Sequence, residues 1–401
     1  MTSAPKKRIT EIWSRDVNKS RLAGRTQIIA AIRDATEQQY CVTHLRLNNL
    51  LERRSFRAAL GTVFAALRSF LSGNPPSLQC LLFCDGGNIR EICQHLKSNP
   101  PGALYCDGVR TFYLLKHLGE LRNRMRIVVD LDDLMSRRMQ SLGMAEASLS
   151  LGYLHDRIPP WLGKTLALGS VSRMVARYEH AALLRVEDLI GRWADAVVLI
   201  SKVEGAVLQE RYSTLSSKAN VHVISPPKDV VAPPQSYTEF SRFVFIGTDS
   251  LPQNRSSIQL ILELWRSTKP VAEIHLFGRM VLDWPSVPGV IFRGYVQDLD
   301  DVYVQGAVLF APGELQGGIK TKVVEAFAHG CAVVGNEITF EGLQVPNYPL
   351  VTTSHEELVR IVSFPSSYLH QMKEAASLGQ GYVKTYFSQE NFAENWKDVL
   401  G

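Results

Sequence analysis

The sequence predicts an α/β protein of two domains, on three observations. Its 401 residues exceed what one ordinary core organises. Apolar runs bounded by turn residues recur at the spacing of strands alternating with helices. A stretch with four prolines, Ile224–Ser236, interrupts that pattern near the middle. With 45% apolar and 21% charged residues the chain has the material for sizeable cores, and wholesale disorder is excluded.

In the first half, strands are expected at RITEIWS from Arg8, YCVTHL from Tyr40, LQCLLFC from Leu78, MRIVVD from Met125 and AVVLI from Ala196. The second half repeats the scheme with RFVFIGT from Arg242, EIHLF from Glu273, GVIFR from Gly289, AVLFA from Ala307 and CAVVG from Cys331. Helical patterns fill the gaps, so both sheets are expected to be parallel and Rossmann-like. The domains are set at residues 1–223 and 237–385, joined by the linker 224–236. Residues 386–401 are expected to form a helix packing back toward the N-terminal domain.

The six cysteines are scattered without metal-ligand spacing, which predicts reduced thiols and a cytoplasmic protein. No early apolar stretch with a cleavage site and no long uncharged run is present, so neither a signal peptide nor a membrane span is expected. Charge is divided unevenly. Residues 1–223 carry 31 Lys and Arg against 20 Asp and Glu, a balance of +11, whereas the remainder carries −6. A basic half suits an anionic membrane face, a phosphorylated substrate or nucleic acid. No nucleic-acid module accompanies the charge. A dehydrogenase is disfavoured, because no Gly-x-Gly-x-x-Gly opens the first βα turn.

The most informative stretch runs from Ala311 to Leu343. A strand ends in a Pro/Gly loop, Gly317 and Gly318 lead into a helix, and the helix reaches Gly330 before the next strand. Backbone N–H groups and the positive end of the helix dipole at such a start favour a diphosphate. Lys320 and Lys322 on the first turn supply charge to balance a departing nucleoside diphosphate without a metal. Glu325 falls about one turn after Lys322, placed to accept ribose hydroxyls.

These residues resemble group 1, or family 4, glycosyltransferases of the GT-B fold, two Rossmann-like domains facing each other across a cleft. The resemblance is carried most specifically by KVVEAFAHGCAVVGNEITFEGL from Lys322. It implies an α/β GT-B hexosyltransferase working on a nucleotide-sugar and a glycan or lipid-linked acceptor in polysaccharide or glycolipid synthesis. Retention is implied, with no metal or other cofactor. The ribose-binding glutamate of the family falls on Glu325 and its diphosphate loop on Gly317, Gly318 and Ile319, with Lys322 matching a lysine of one branch. FVFIGTDSLPQNRSS is similar to the first strand of the donor domain and its Pro-x-Asn turn at Pro252–Asn254, placing Gly247 toward the donor. Gly278, Tyr295 and Val296 fall in segments similar to those that bracket the base. Gly24 and Arg25 lie in a loop resembling the glycine-bearing loop that faces the donor phosphates.

The chain departs from the family in three places. Gly318 stands where a first glutamate is common, leaving Glu314 as a substitute. The usual Arg and Lys pair after the first C-terminal strand is absent, with Arg255 nearby. Ser225-Pro226-Pro227-Lys228 replaces the usual junction sequence. A nucleotide-sugar 2-epimerase of the same fold and a non-catalytic partner subunit stay open as alternatives.

On the acceptor side, acidic residues are expected at carboxyl ends of strands: Asp85, Asp107, and Asp130, Asp132 and Asp133. Asp107 and Asp132 are the candidate catalytic carboxylates, one of which an inverting reaction requires as base. His44 reads as structural. In RRSFRAALGTVFAALRSFLSG from Arg53, Phe56, Leu60, Val63, Phe64, Leu67 and Leu71 recur at helical spacing among arginines. That pattern fits a helix lying in an anionic membrane interface or a core-facing helix with basic edges. Ile158–Lys164 is a second candidate dipping loop.

Overall fold

The computed structural model describes residues 6–15, 24–53, 56–144 and 169–401. Two compact units emerge. One joins Met1–Gln140, Val175–Pro227 and Glu390–Gly401; the other is built on Lys228–Gln389, with the described residues 141–144 and 169–174.

The first unit holds a six-stranded parallel sheet. Its strands are β1 (Arg8–Trp13), β2 (Cys41–Arg46), β3 (Ala103–Asp107), β4 (Arg126–Asp132), β5 (Ala196–Leu199) and β6 (Asn220–Val223), in the order β2-β1-β3-β4-β5-β6. β3 and β5 are buried at every position, as a parallel sheet covered on both faces requires. The terminal helix Gln389–Leu400 places Phe392, Trp396, Val399 and Leu400 in the cluster formed by Ile9, Tyr105, Val128 and Ala196. Trp396 meets Tyr105 edge-on at 5.6 Å.

One expected strand is absent. LQCLLFC, read as a strand from its apolar run, instead opens with the short helix Leu78–Leu81. The Glu179 carboxylate accepts from Ser77 Oγ and from the N–H groups of Leu78 and Gln79, at 2.6, 2.7 and 3.1 Å. An anion fixed at the start of the segment satisfies its first donors and selects the helical turn over a strand. Asp85 accordingly caps the next helix, Gly86–Ser98, by accepting from Gly87 N. The strand place is taken by β3, and β6 is an addition to the sequence reading.

The second unit contains β7 (Arg242–Ile246), β8 (Ile274–Phe277), β9 (Val290–Gly294), β10 (Ala307–Phe310), β11 (Ala332–Asn336) and β12 (Val351–Thr352), in the order β12-β11-β10-β7-β8-β9. The chain leaves β7 toward one edge and returns to β10 to build the other. The carboxyl ends of β7 and β10 therefore form a topological switch point, where open parallel sheets bind ligands. Much of the proline-rich stretch is stitched to this unit: Lys228 N donates to Phe387 O at 2.7 Å, Val231 N to Ala328 O at 2.8 Å and Gln235 N to Gly330 O at 2.9 Å. Gly330, at φ 64°, is indispensable there, since a Cβ would lie 2.2 Å from Pro233 O.

Trp396 is almost wholly buried. Trp396→Ala is expected to cost about 3–5 kcal/mol in chemical denaturation of the full chain; a loss below about 1 kcal/mol would show that the terminal helix contributes little to the first core.

Candidate functional site

The site is built where β7, β8 and β9 end. Gly247 N donates to Phe277 O at 2.9 Å, and Gly278 N donates to Gly294 O at 2.7 Å. Gly278 adopts φ 133°, and a Cβ there would stand 2.3 Å from Gly247 O. A Cβ on Gly247 would lie 2.6 Å from the Asn254 amide. The two glycines thus let backbone and Asn254 approach the end of β7 closely.

Asn254 belongs to the helix Pro252–Thr268, which Pro252 opens from its first turn. Its Nδ2 donates to Thr248 O at 3.0 Å, and its Oδ1 accepts from Lys322 Nζ at 2.8 Å. Lys322 lies on the helix that follows β10, Thr321–Ala328, so this bond ties the two arms of the switch point together. The ammonium sits 4.1 Å from the centroid of the Phe245 ring. Burial pushes its pKa down to about 7, with the neighbouring charge of Lys320 adding to the effect.

The loop before that helix turns through positive φ at Gly317 (121°) and Gly318 (62°), and Ile319 is buried. No side chain caps the helix start. Gly317 N donates to the Glu341 carboxylate at 2.8 Å, so the backbone donor expected to meet a phosphate already holds an anion. Lys320 is used differently from Lys322. Its Nζ donates to Leu315 O at 3.0 Å and Gly317 O at 2.9 Å, closing the loop on itself.

Glu325, one turn along the helix, receives Lys228 Nζ at 2.5 Å. Lys228 was visible in the sequence only as part of an altered junction; its reach to Glu325 comes from the docking of Lys228–Gln235 onto this unit. Glu314 accepts from Ser256 Oγ, and burial, assisted by Glu263, raises its pKa. Arg255 turns its Nε to Asp249 O at 3.3 Å. Asp249, wholly buried, accepts from Val281 N, Leu282 N and Trp284 Nε1, fixing the loop after β8. Tyr295, largely exposed, and Val296, half-buried, stand at the carboxyl end of β9, two strands from β7.

The remaining candidates belong to the first unit. Asp107 is buried at the end of β3 and accepts from Ser14 Oγ at 2.6 Å and Ser14 N at 3.2 Å, with Arg15 Nε at 3.9 Å. Asp132 ends the neighbouring β4 at a register shift, with φ 68°. Such a conformation is costly for a residue with a Cβ and re-aims the end of the strand. Asp130 accepts from Tyr105 OH at 2.8 Å and Asp132 N at 3.0 Å. Asp133 pairs with Arg138. Gly24 and Arg25 open the helix Gly24–Gln39; their side chains, like residues 16–23 and the loop 158–164, lie outside the described residues. His44 bridges Glu11 and Glu37 at 2.9 Å each, and its hydrogen bond to Glu11 raises its pKa.

With this geometry in view, comparisons with known proteins are consistent. Residues 241–359, the stretch from β7 into the helix after β12, match the family model of "Glycosyl transferases group 1". Comparison with curated protein sequences finds no significant match. Among solved structures, Anabaena Alr3699/HepE in complex with UDP and glucose is 12% identical with TM-score 0.61, covering 98% of this chain and 99% of that one. The sucrose-phosphate synthase of Thermosynechococcus elongatus is 12% identical with TM-score 0.63, covering 98% of each chain. S. aureus TarM is 13% identical with TM-score 0.51; the match covers 78% of this chain and only 58% of TarM. At these identities the structural likeness is one of fold. Fold and family model point the same way: the structural likeness shows the GT-B fold, and within the C-terminal unit residues 241–359 match the group 1 glycosyltransferase model.

The half-buried lysine carries a testable signature. An unfolded lysine keeps its proton to about pH 10.4, whereas Lys322 releases it near 7 in the folded chain. The unfolded state therefore binds more protons above pH 7, and stability rises with pH in that window. Relative to Lys322→Met, the wild type is expected to gain about 1–2 kcal/mol between pH 7 and about 9 in denaturant titrations. Parallel pH profiles would show that the ammonium is not held in an apolar setting.

Proposed function

We propose that this protein transfers a hexosyl group from a UDP-sugar to a glycan or lipid-linked acceptor, with retention and without a metal. The observation that carries the reading is Lys322, held by Asn254 between the two arms of the switch point beside the Gly317–Gly318 loop. When the bond from the sugar C1 to the β-phosphate oxygen breaks, its electron pair goes to the diphosphate. The acceptor hydroxyl oxygen forms the new bond to C1 and gives up its proton to an oxygen of the departing diphosphate. Charge growing on the diphosphate is met by Lys322, which the phosphates draw into its protonated form, and by the Gly317 N–H, once phosphate replaces Glu341 there.

Glu325 accepts the ribose hydroxyls in place of Lys228. The uridine preference follows HepE, a neighbour in fold seen with UDP and glucose. Asp107 and Asp132 face the acceptor side in this reading. The protein works at the inner face of a membrane, in cell-surface polysaccharide or glycolipid synthesis. Supporting that placement are the basic N-terminal half and an exposed apolar helix. Among the described residues no helix is long and apolar enough to cross a membrane.

A thermal-shift panel of UDP-, GDP-, ADP- and CMP-sugars tests the donor. A uridine ligand at a hundredfold its Kd is expected to stabilise the fold by about 2.7 kcal/mol, and Glu325→Ala to erase that shift when compared with its own ligand-free melting. A shift with another nucleotide, or one that survives Glu325→Ala, would overturn the donor assignment.

A further inference from the structure

The helix Phe56–Leu71 carries its apolar residues on the wrong side for a soluble core. Leu60, Val63, Phe64, Leu67, Phe70 and Leu71 are all exposed, Phe64 at 65% and Leu71 at 88%. Their spacing of three and four residues puts them on one face. The half-buried positions are the small or polar ones, Thr62, Ala65, Ala66 and Ser69. An ordinary amphipathic helix of a globular protein turns its large apolar side chains inward. Here the small residues face the protein and the large ones face outward.

The helix is also anchored in that attitude. Phe70 stacks on Tyr178 with ring centroids 6.4 Å apart, and Tyr178 OH donates to Pro76 O at 2.6 Å. Immediately after it, Ser77 and the start of the next helix are held by Glu179. The apolar face is therefore presented by a fixed scaffold.

Charge decides between occupants. No acidic residue lies between Glu52 and Asp85, and four arginines do: Arg53, Arg54, Arg57 and Arg68. Arg68 is exposed beside the apolar face. A symmetric pairing with a second copy sets this one-signed row against itself. An anionic lipid surface instead takes the apolar residues below the headgroups and the guanidinium groups among the phosphates. At 16 residues the helix measures about 24 Å along its axis and suits lying in the plane of the interface.

We propose that the outward face of Phe56–Leu71 docks the protein in-plane onto an anionic membrane, with Phe64, Leu67 and Leu71 inserted below the headgroups. This deepens the peripheral placement proposed above, and it stands apart from the donor site.

The test is co-sedimentation of the full chain with vesicles of phosphatidylcholine alone or mixed equally with phosphatidylglycerol, at low and high salt. The wild type is expected to sediment with the mixed vesicles and to be weakened by salt. The double variant Phe64→Glu/Leu67→Glu is expected to lose more than about tenfold in apparent affinity, and Arg68→Glu a smaller factor. The substituted side chains are exposed, so melting temperature and UDP binding are expected to match the wild type. Unchanged sedimentation of the double variant, or failure of the wild type to bind mixed vesicles while still binding UDP, overturns the proposal. A dimer in analytical ultracentrifugation that Phe64→Glu/Leu67→Glu dissociates, without vesicle binding, assigns the face to a second copy and overturns it equally.

Discussion

The hydrogen bond from Lys322 to Asn254 is the constraint on which the second unit's site rests. A lysine in a largely apolar setting needs a partner, and Asn254 supplies a neutral one that leaves the charge state adjustable. Asn254 can stand there because Gly247 has no Cβ to block it, and Gly247 packs against the backbone of Gly278 for the same reason. Three residues that look unremarkable in isolation, two glycines and an asparagine, thus set the position of the lysine that links the ends of β7 and β10. A side chain at Gly247 would meet the Asn254 amide that accepts from the lysine, and one at Gly278 would meet the Gly247 backbone.

The described geometry already pairs the groups that a donor would use. Glu341 sits on the Gly317 N–H, and Lys228 sits on Glu325. Leaving a partly buried carboxylate or backbone donor unsatisfied costs more than pairing it within the protein. In the proposed reaction a phosphate takes the place of one carboxylate and a ribose that of one ammonium, so the Gly317 N–H and Glu325 each keep a partner. Lys228 lies in the stretch docked on the second unit, which makes that stretch part of the site's surroundings.

The fold was legible where local pattern and tertiary environment agree. All five strands expected in the second half occur: β7, β8, β10 and β11 are short apolar runs largely buried in a parallel sheet, and β9 is its half-exposed edge. LQCLLFC is equally apolar but helical at its start, since Glu179, a hundred residues away in sequence, fixes its first N–H groups. The turn into the helix Thr321–Ala328 was readable from Gly317 and Gly318, whose backbone angles only glycine adopts freely. The separate uses of Lys320 and Lys322 were not, because both occupy the same first turn, and only packing shows that one ties down the loop. The Phe56–Leu71 helix shows the same limit: its periodicity fitted a core-facing or an interfacial helix equally, and the exposure of its large apolar residues sets the core-facing reading aside.

The most direct test of the central claim is a crystal structure of the protein grown with UDP. The account predicts the diphosphate at the carboxyl ends of β7 and β10, with Lys322 Nζ and Gly317 N both donating to phosphate oxygens. Glu341 is then displaced from Gly317, and Glu325 accepts from the ribose in place of Lys228. UDP bound elsewhere, or bound with Glu341 still on Gly317 and Lys228 still on Glu325, would contradict it.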